Sequence, residues 1–205
     1  MKMTGKAFLS AAISGLLTLP AFAQTKIPGK AFVAEVSGGI TLIREGAVVE
    51  LRKGLSLPIE GARIETAPGA SAIFVFSNGT SLLVDEKTIV DVLRFVQAPF
   101  PAGVDTTVIE PSVSDTRVRV TQGRVVITTN TLATGTSMVY ETPQSQVRIR
   151  GREIVIQVEG QTTSVILLHG DATVRAANAA PGDVGQILHD GQMAVVTSGS
   201  ASPAP

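Results

Sequence analysis

The run GARIETAPGASAIFVFSNGTSLLVDEKTIVDVLRFV, residues 61–96, sets short apolar segments between turn residues throughout its length. A strand is expected over 62–66, a turn at Ala67-Pro68-Gly69, and an almost wholly apolar strand over 70–76. Ser77-Asn78-Gly79-Thr80 comes next, and Asn-Gly between two strand-like runs signals a tight hairpin because both residues tolerate positive φ. The chain is expected to return over 81–84, turn at Asp85-Glu86-Lys87 and leave again over 88–96. Nothing in this run has the spacing of an active site.

The same texture extends in both directions. Upstream, Phe32-Val33-Ala34-Glu35-Val36, Ile40-Thr41-Leu42-Ile43 and Val48-Val49-Glu50-Leu51 are strand-like, separated by Ser37-Gly38-Gly39 and Glu45-Gly46. Downstream, strands are expected over 116–120 and, after a reversal at Gln122-Gly123, over 124–128. Six more follow, over 138–141, 147–149, 153–158, 164–168, 172–175 and 193–197, with a short piece at 186–188. No window after the first residues has helical spacing, while Val, Ile and Thr abound and Gly recurs between short runs. Residues 97–115 are different: Pro99, Pro101 and Pro111 bar the segment from a sheet interior, because proline lacks the ladder donor. It reads as a long functional loop or a flexible insertion.

An apolar pair, a Gly-containing turn and another apolar run recur as VSGGITL, LRKGLSL, VTQGRVVI, LLHGDATV and LHDGQMAV. This is the texture of a loosely coiled β-solenoid or β-helix, with a β-sandwich of short strands as the alternative. The expected fold class is therefore all-β, in one domain over 24–197.

The first residues read as an address. Lys2 and Lys6 are followed by an uncharged apolar run over 7–19 and by Pro20-Ala21-Phe22-Ala23, an A-x-A ending. That is the three-part plan of a secretory signal peptide, expected over 1–23 with cleavage after Ala23, and its apolar run is too short to span a bilayer. The mature chain is expected in the periplasm or at the cell surface. The protein has no cysteine, so an exported fold must hold without disulfides. It carries 17 basic and 17 acidic side chains, a balance without the concentrated basic field that nucleic acid requires. Residues 198–205, Gly, Ser, Ala and Pro with no large apolar side chain, read as a disordered tail.

The order G-A-R-I-E-T, A-I-F-V-F-S-N-G-T-S-L-L-V, V-T-Q-G-R-V-V-I, Y-E-T-P and V-R-I-R-G resembles the FecR-type domain of bacterial extracytoplasmic regulators and exported proteins. The resemblance covers about 33–174. Ala62 stands where that family usually has Asp, and Arg152 where a Thr usually follows Arg-Gly. The resemblance implies an all-β fold with a β-helix-like course. It also implies, for members with a membrane helix, relay of a signal from an outer-membrane receptor to a sigma factor. The expectation here is a stand-alone exported member without the anti-sigma segment.

Candidate chemistry is sparse. His169 and His189 sit in LHGD and LHDG, beside Asp171 and Asp190, where Gly and Asp serve the turns. No H-x-H or C-x-x-C spacing accompanies them. Asp85-Glu86 and Asp91 do not make a carboxylate pair, because adjacent residues on a strand point to opposite faces, and Asp85-Glu86-Lys87 is more simply a turn. Ser81 and Ser112 lack a nucleophile elbow, and no phosphate-binding or dinucleotide loop is present. No catalytic residue, metal ligand or cofactor is expected.

Binding residues are more plausible. Arg148, Arg150 and Arg152 alternate on one face, with Val147 and Ile149 opposite, and Arg117 and Arg119 repeat the theme. Such a stripe holds carboxylates or phosphates, unless it is a solvated face paired to Glu141, Glu153 or Glu159. Phe100, between Pro99 and Pro101, is a candidate exposed anchor. The expected function is a non-catalytic interaction module that binds an envelope protein or an anionic envelope polymer. A self-associating envelope scaffold, a homo-oligomer, is the alternative.

Overall fold

The computed structural model describes residues 25–198. The expected signal peptide and all but the first residue of the expected tail lie outside the described residues.

No helix occurs among the described residues; the chain is all-β, as expected. Its strands are β1 (Ile27–Pro28), β2 (Lys30–Ser37), β3 (Ile40–Arg44), β4 (Ala47–Val49), β5 (Ser56–Pro58), β6 (Arg63–Thr66), β7 (Ser71–Phe76), β8 (Ser81–Val84) and β9 (Ile89–Gln97). After these come β10 (Ser114–Thr128), β11 (Ser137–Glu141), β12 (Ser145–Ile149), β13 (Glu153–Glu159), β14 (Thr162–His169), β15 (Ala172–Ala176), β16 (Gln186–Leu188) and β17 (Met193–Thr197).

These strands form one mixed sheet, not closed into a barrel, whose two ladders share β10. In the first ladder the order is β4-β3-β6-β9-β10-β11-β12-β15-β16, with β1 beside the end of β9. In the second it is β5-β2-β7-β8-β10-β13-β14-β17. Among the named strands of the described residues, only β10 and β11 pair in parallel. Successive hairpins alternate between the ladders, so the chain advances stepwise as a solenoid does, while neighbours pair antiparallel as in a sandwich.

Buried side chains of both ladders make one core, including Phe74, Phe76, Leu82, Ile127 and Ile154 from the second and Leu42, Ile64, Phe95, Tyr140 and Ile149 from the first. The strict alternation of β7, β8, β13 and β15 is the period of a strand with one face inward. Each large apolar side chain so buried contributes roughly 1.5–3 kcal/mol. Phe76 and Phe95 meet across the ladders, with ring centroids 4.8 Å apart and planes tilted 43°.

The hairpin at 77–80 forms as expected, with β7 and β8 paired from Ala72↔Val84 to Val75↔Ser81. Only Gly79 adopts positive φ there, at 85°. Asn78 serves another purpose: it is 1% exposed, accepts from the Thr80 amide at 3.1 Å and donates to Ser114 Oγ at 3.1 Å.

The expected reversal at Gln122-Gly123 does not occur. β10 is a single strand of 15 residues. Its first part pairs with β9 and β11, and its last part, from Gly123 on, with β8 and β13. Gly123, at φ 87°, bends the strand from one ladder into the other instead of turning it back. A Cβ there would come within 3.0 Å of Thr88 and of the Lys87 carbonyl. The Thr88 hydroxyl accepts from the Arg124 amide at 3.0 Å and so fixes the bend. A hairpin would have left β8 and β13 without their common neighbour.

Candidate functional site

β11 and β12 are joined by the Thr142-Pro143 turn, where Thr142 Oγ1 accepts from the Ser145 amide at 2.8 Å. Their ladder has three register pairs, Glu141↔Gln146, Tyr140↔Val147 and Val139↔Arg148. Beyond Val139 and Arg148 the strands diverge, and a groove of about 710 Å³ lies there. One wall is the segment from Asn130 to Met138; the other is Arg148-Ile149-Arg150-Gly151-Arg152.

Three devices hold that second wall. Arg148, Arg150 and Arg152 are exposed, while Val147, Ile149 and Gly151 are buried, so the alternation read from the sequence continues past the end of β12. The Arg150 amide donates to the Asp171 carbonyl and the Arg152 amide to the His169 carbonyl, each at 2.9 Å. Gly151 lies against Gly170, so closely that a Cβ on either would come within 3.0 Å of the other's backbone. The Arg-Gly turn is thus a backbone contact between β12–β13 and β14–β15.

The first wall is held from beneath by Glu110, 3% exposed. One carboxyl oxygen accepts from Ser114 Oγ at 2.5 Å and Asn78 Nδ2 at 3.4 Å. The other accepts from the Ala133 amide at 2.8 Å and Thr136 Oγ1 at 2.5 Å. Ile109 and Thr131 form a parallel bridge, and Asn130 donates to the Thr106 carbonyl. The proline segment, 98–113, is therefore tied down through Glu110 as the support of the groove wall.

The five arginines separate into two groups. Arg117 and Arg119, on β10, both reach Glu141, at 3.5 and 3.2 Å, which is the paired, solvated arrangement. Arg148, Arg150 and Arg152 line the groove, and among the described residues none has a carboxylate within 4.0 Å. Arg117 and Arg148 flank Val139 on the outer face, and Val139 is 5% exposed. Phe100 is half-buried rather than free, beside Ile27, Pro28 and Pro99 around a recess of about 200 Å³.

Other candidate groups are dispersed. Asp85 pairs with Arg124 at 2.6 Å, Glu86 accepts from the Gly69 amide at 2.6 Å, and Asp91 pairs with Arg63 at 3.1 Å. The bonds from Glu65 and Asp91 push the Arg63 guanidinium further up, so it stays charged. Ser112 donates to the Ala98 carbonyl at 2.6 Å. The histidines are exposed, and each takes an aspartate from the neighbouring turn: His189 with Asp171 at 2.9 Å, His169 with Asp190 at 3.8 Å. Among the described residues no three His, Cys, Asp or Glu side chains cluster for a metal.

Sequence reasoning missed the 130–138 wall and the Asn78–Glu110–Ser114–Thr136 cluster beneath it. The available signal was one acid, Glu110, between Ile109 and Pro111 in an apolar, proline-rich segment.

Comparison with curated proteins found no match. Two crystal structures of a candidate anti-sigma factor from Parabacteroides distasonis ATCC 8503 resemble the fold, with TM-scores of 0.49 and 0.48 at 14% identity. Each match covers 69% of this chain and 57% of the other. The family model described as FecR protein matches residues 62–173, more than half of the chain, which therefore belongs to the FecR family.

Proposed function

We propose that this protein is an exported, non-catalytic FecR module that captures another component of the bacterial envelope, in an extracytoplasmic signalling or adaptor role. The observation that carries this reading is the groove between the diverging ends of β11 and β12, where three exposed arginines stand without carboxylate partners among the described residues. Ionised groups left unpaired on a concave wall suit recognition of a charged partner. The signal-like first residues support export. The histidines, serines and carboxylates are engaged in turns and ion pairs rather than in a nucleophile–base arrangement, which supports a binding role over a catalytic one.

The test is crosslinking of tagged protein in the native envelope, followed by mass spectrometry. Specific recovery of a receptor or membrane regulator is the expected result; recovery of the protein alone would overturn the reading.

That second outcome belongs to a self-associating scaffold, which one observation favours. Among the described residues β4, β5, β16 and β17 each pair on one side only, and Val48, Ile187 and Met193 along them are 72%, 59% and 45% exposed. Unpaired ladder groups beside apolar side chains are the template for strand addition. Sedimentation velocity over a hundredfold concentration range would then show growth in size.

A further inference from the structure

Most arginines on this molecule are already engaged. Arg63 is held by Glu65 and Asp91, Arg94 by Asp115, Arg117 and Arg119 by Glu141, and Arg124 by Asp85. Arg175 donates to the carbonyls of Ala179 and Ala180. Arg44 is held by Glu45, so among the described residues, apart from Arg52, the arginines without such a partner are those of the groove. Its lining holds Arg148, Arg150 and Arg152 and, among the described residues, no acidic side chain. A comparable cleft beside the β10 bend, about 640 Å³, mixes Asp85, Glu86 and Glu159 with Lys87 and Arg124, so its charges compensate internally.

Three guanidinium groups on neighbouring outward positions repel one another, and an anion relieves that repulsion while accepting bidentate hydrogen bonds. The opposite wall offers further polar groups from Asn130, Thr131 and Ser137. The spacing narrows the choice of anion. Alternate side chains on an extended backbone, as at Arg148 and Arg150, recur roughly every 6.6 Å, an interval that an extended peptide laid alongside repeats, and the chain bends at Gly151-Arg152 beyond them. Ile149 and Met138 also line the groove, 2% and 1% exposed.

We propose that the groove binds an extended acidic segment of a partner protein, with carboxylates at alternate positions facing Arg148 and Arg150 and a further carboxylate beyond them for Arg152. This rests on the reading of the protein as an interaction module and names the chemistry of its partner.

The test uses the purified protein and a fluorescent peptide alternating Glu and Thr over twelve residues. Its comparators are the same peptide with Gln for Glu, a peptide of equal composition with its Glu residues in one block, and inorganic polyphosphate. The alternating peptide should bind, weaken several-fold between 50 and 200 mM salt, and shift amide resonances over 130–138 and 148–152. The triple variant R148Q/R150Q/R152Q should lose at least tenfold in affinity with its thermal midpoint unchanged, while R117Q/R119Q should keep the affinity. Equal binding of the Gln peptide or of the blocked peptide overturns the proposal. So does polyphosphate binding more tightly at the same residues, which would make the ligand a phosphate polymer.

Envelope crosslinking separates this proposal from the reading beneath it. Capture by the wild type that persists in the triple variant sinks the groove and leaves the module standing. Peptide binding without any captured envelope component does the reverse.

Discussion

Tyr140 is fully buried, and its hydroxyl has no hydrogen-bond partner among the described residues. Burial alone pushes its pKa up, because the phenolate would be stranded in apolar surroundings. The folded pKa lies above the unfolded value of about 10, so the neutral ring's contribution is complete below pH ~10 and is lost as pH rises beyond it. Tyr140→Phe should keep or raise the thermal midpoint, since an unpaired buried hydroxyl costs about 1–3 kcal/mol, and should flatten the alkaline loss of stability. Denaturant unfolding at pH 8 and pH 10.5 checks both; an unchanged alkaline slope would count against this account. Glu110 is the opposite case, since its removal takes the acceptor from Ser114 Oγ, the Ala133 amide and Thr136 Oγ1, and one of two acceptors from Asn78 Nδ2. Glu110→Ala should cost roughly 1–3 kcal/mol, and amide exchange should speed up across 129–136 before it does in the ladders.

β10 is the strand on which the architecture depends, and its bend is the place to perturb it. Gly54 and Gly123 share φ 87°, but a Cβ on Gly54 would meet nothing within 4 Å, whereas on Gly123 it would strike Thr88 and Lys87. Gly54→Ala should therefore show only the left-handed backbone penalty of about 1–2 kcal/mol. Gly123→Ala should exceed it clearly, with amide exchange accelerating at the β8–β10–β13 junction. Equal losses in urea unfolding would mean that Thr88 yields without cost and that the bend is not held by packing. The β11–β12 pair is the second informative element. Its ladder stops after three pairs, and beyond it Ala133 and Thr136 bond Glu110 on one side of the groove.

Across the molecule, both ladders share one core and one strand. Unfolding should be a single cooperative transition, with amide protection in β2–β7 and in β13–β14 lost at the same denaturant concentration. Two separated midpoints would show that β10 does not couple the ladders. Many pairings are distant in sequence, such as Ala31↔Phe76 and Val125↔Val84, so folding should take milliseconds to seconds rather than microseconds.

Much of this was readable without coordinates. Period-two alternation and the Asn-Gly and Asp-Gly turns marked the β7–β8 hairpin and most other strands, because side-chain direction and turn conformation are set by neighbours in the chain. The same local rule put Arg148, Arg150 and Arg152 on one outward face. What followed from long-range register could not be read locally. Glu141 lies beside Arg119 across the β10–β11 ladder and neutralises Arg117 and Arg119, while Asp171, across from Arg150, turns its carboxylate to His189, and among the described residues no carboxylate comes within 4.0 Å of the other three. Gly123 permits either a reversal or a bend, and the choice fell to β8 and β13, which need a shared neighbour. Glu110 and Asn78, 32 residues apart, become one buried cluster only when the proline segment closes beneath the groove. Outward direction was thus a local property of the chain, whereas the freedom of an outward charge depended on which strand the fold laid beside it.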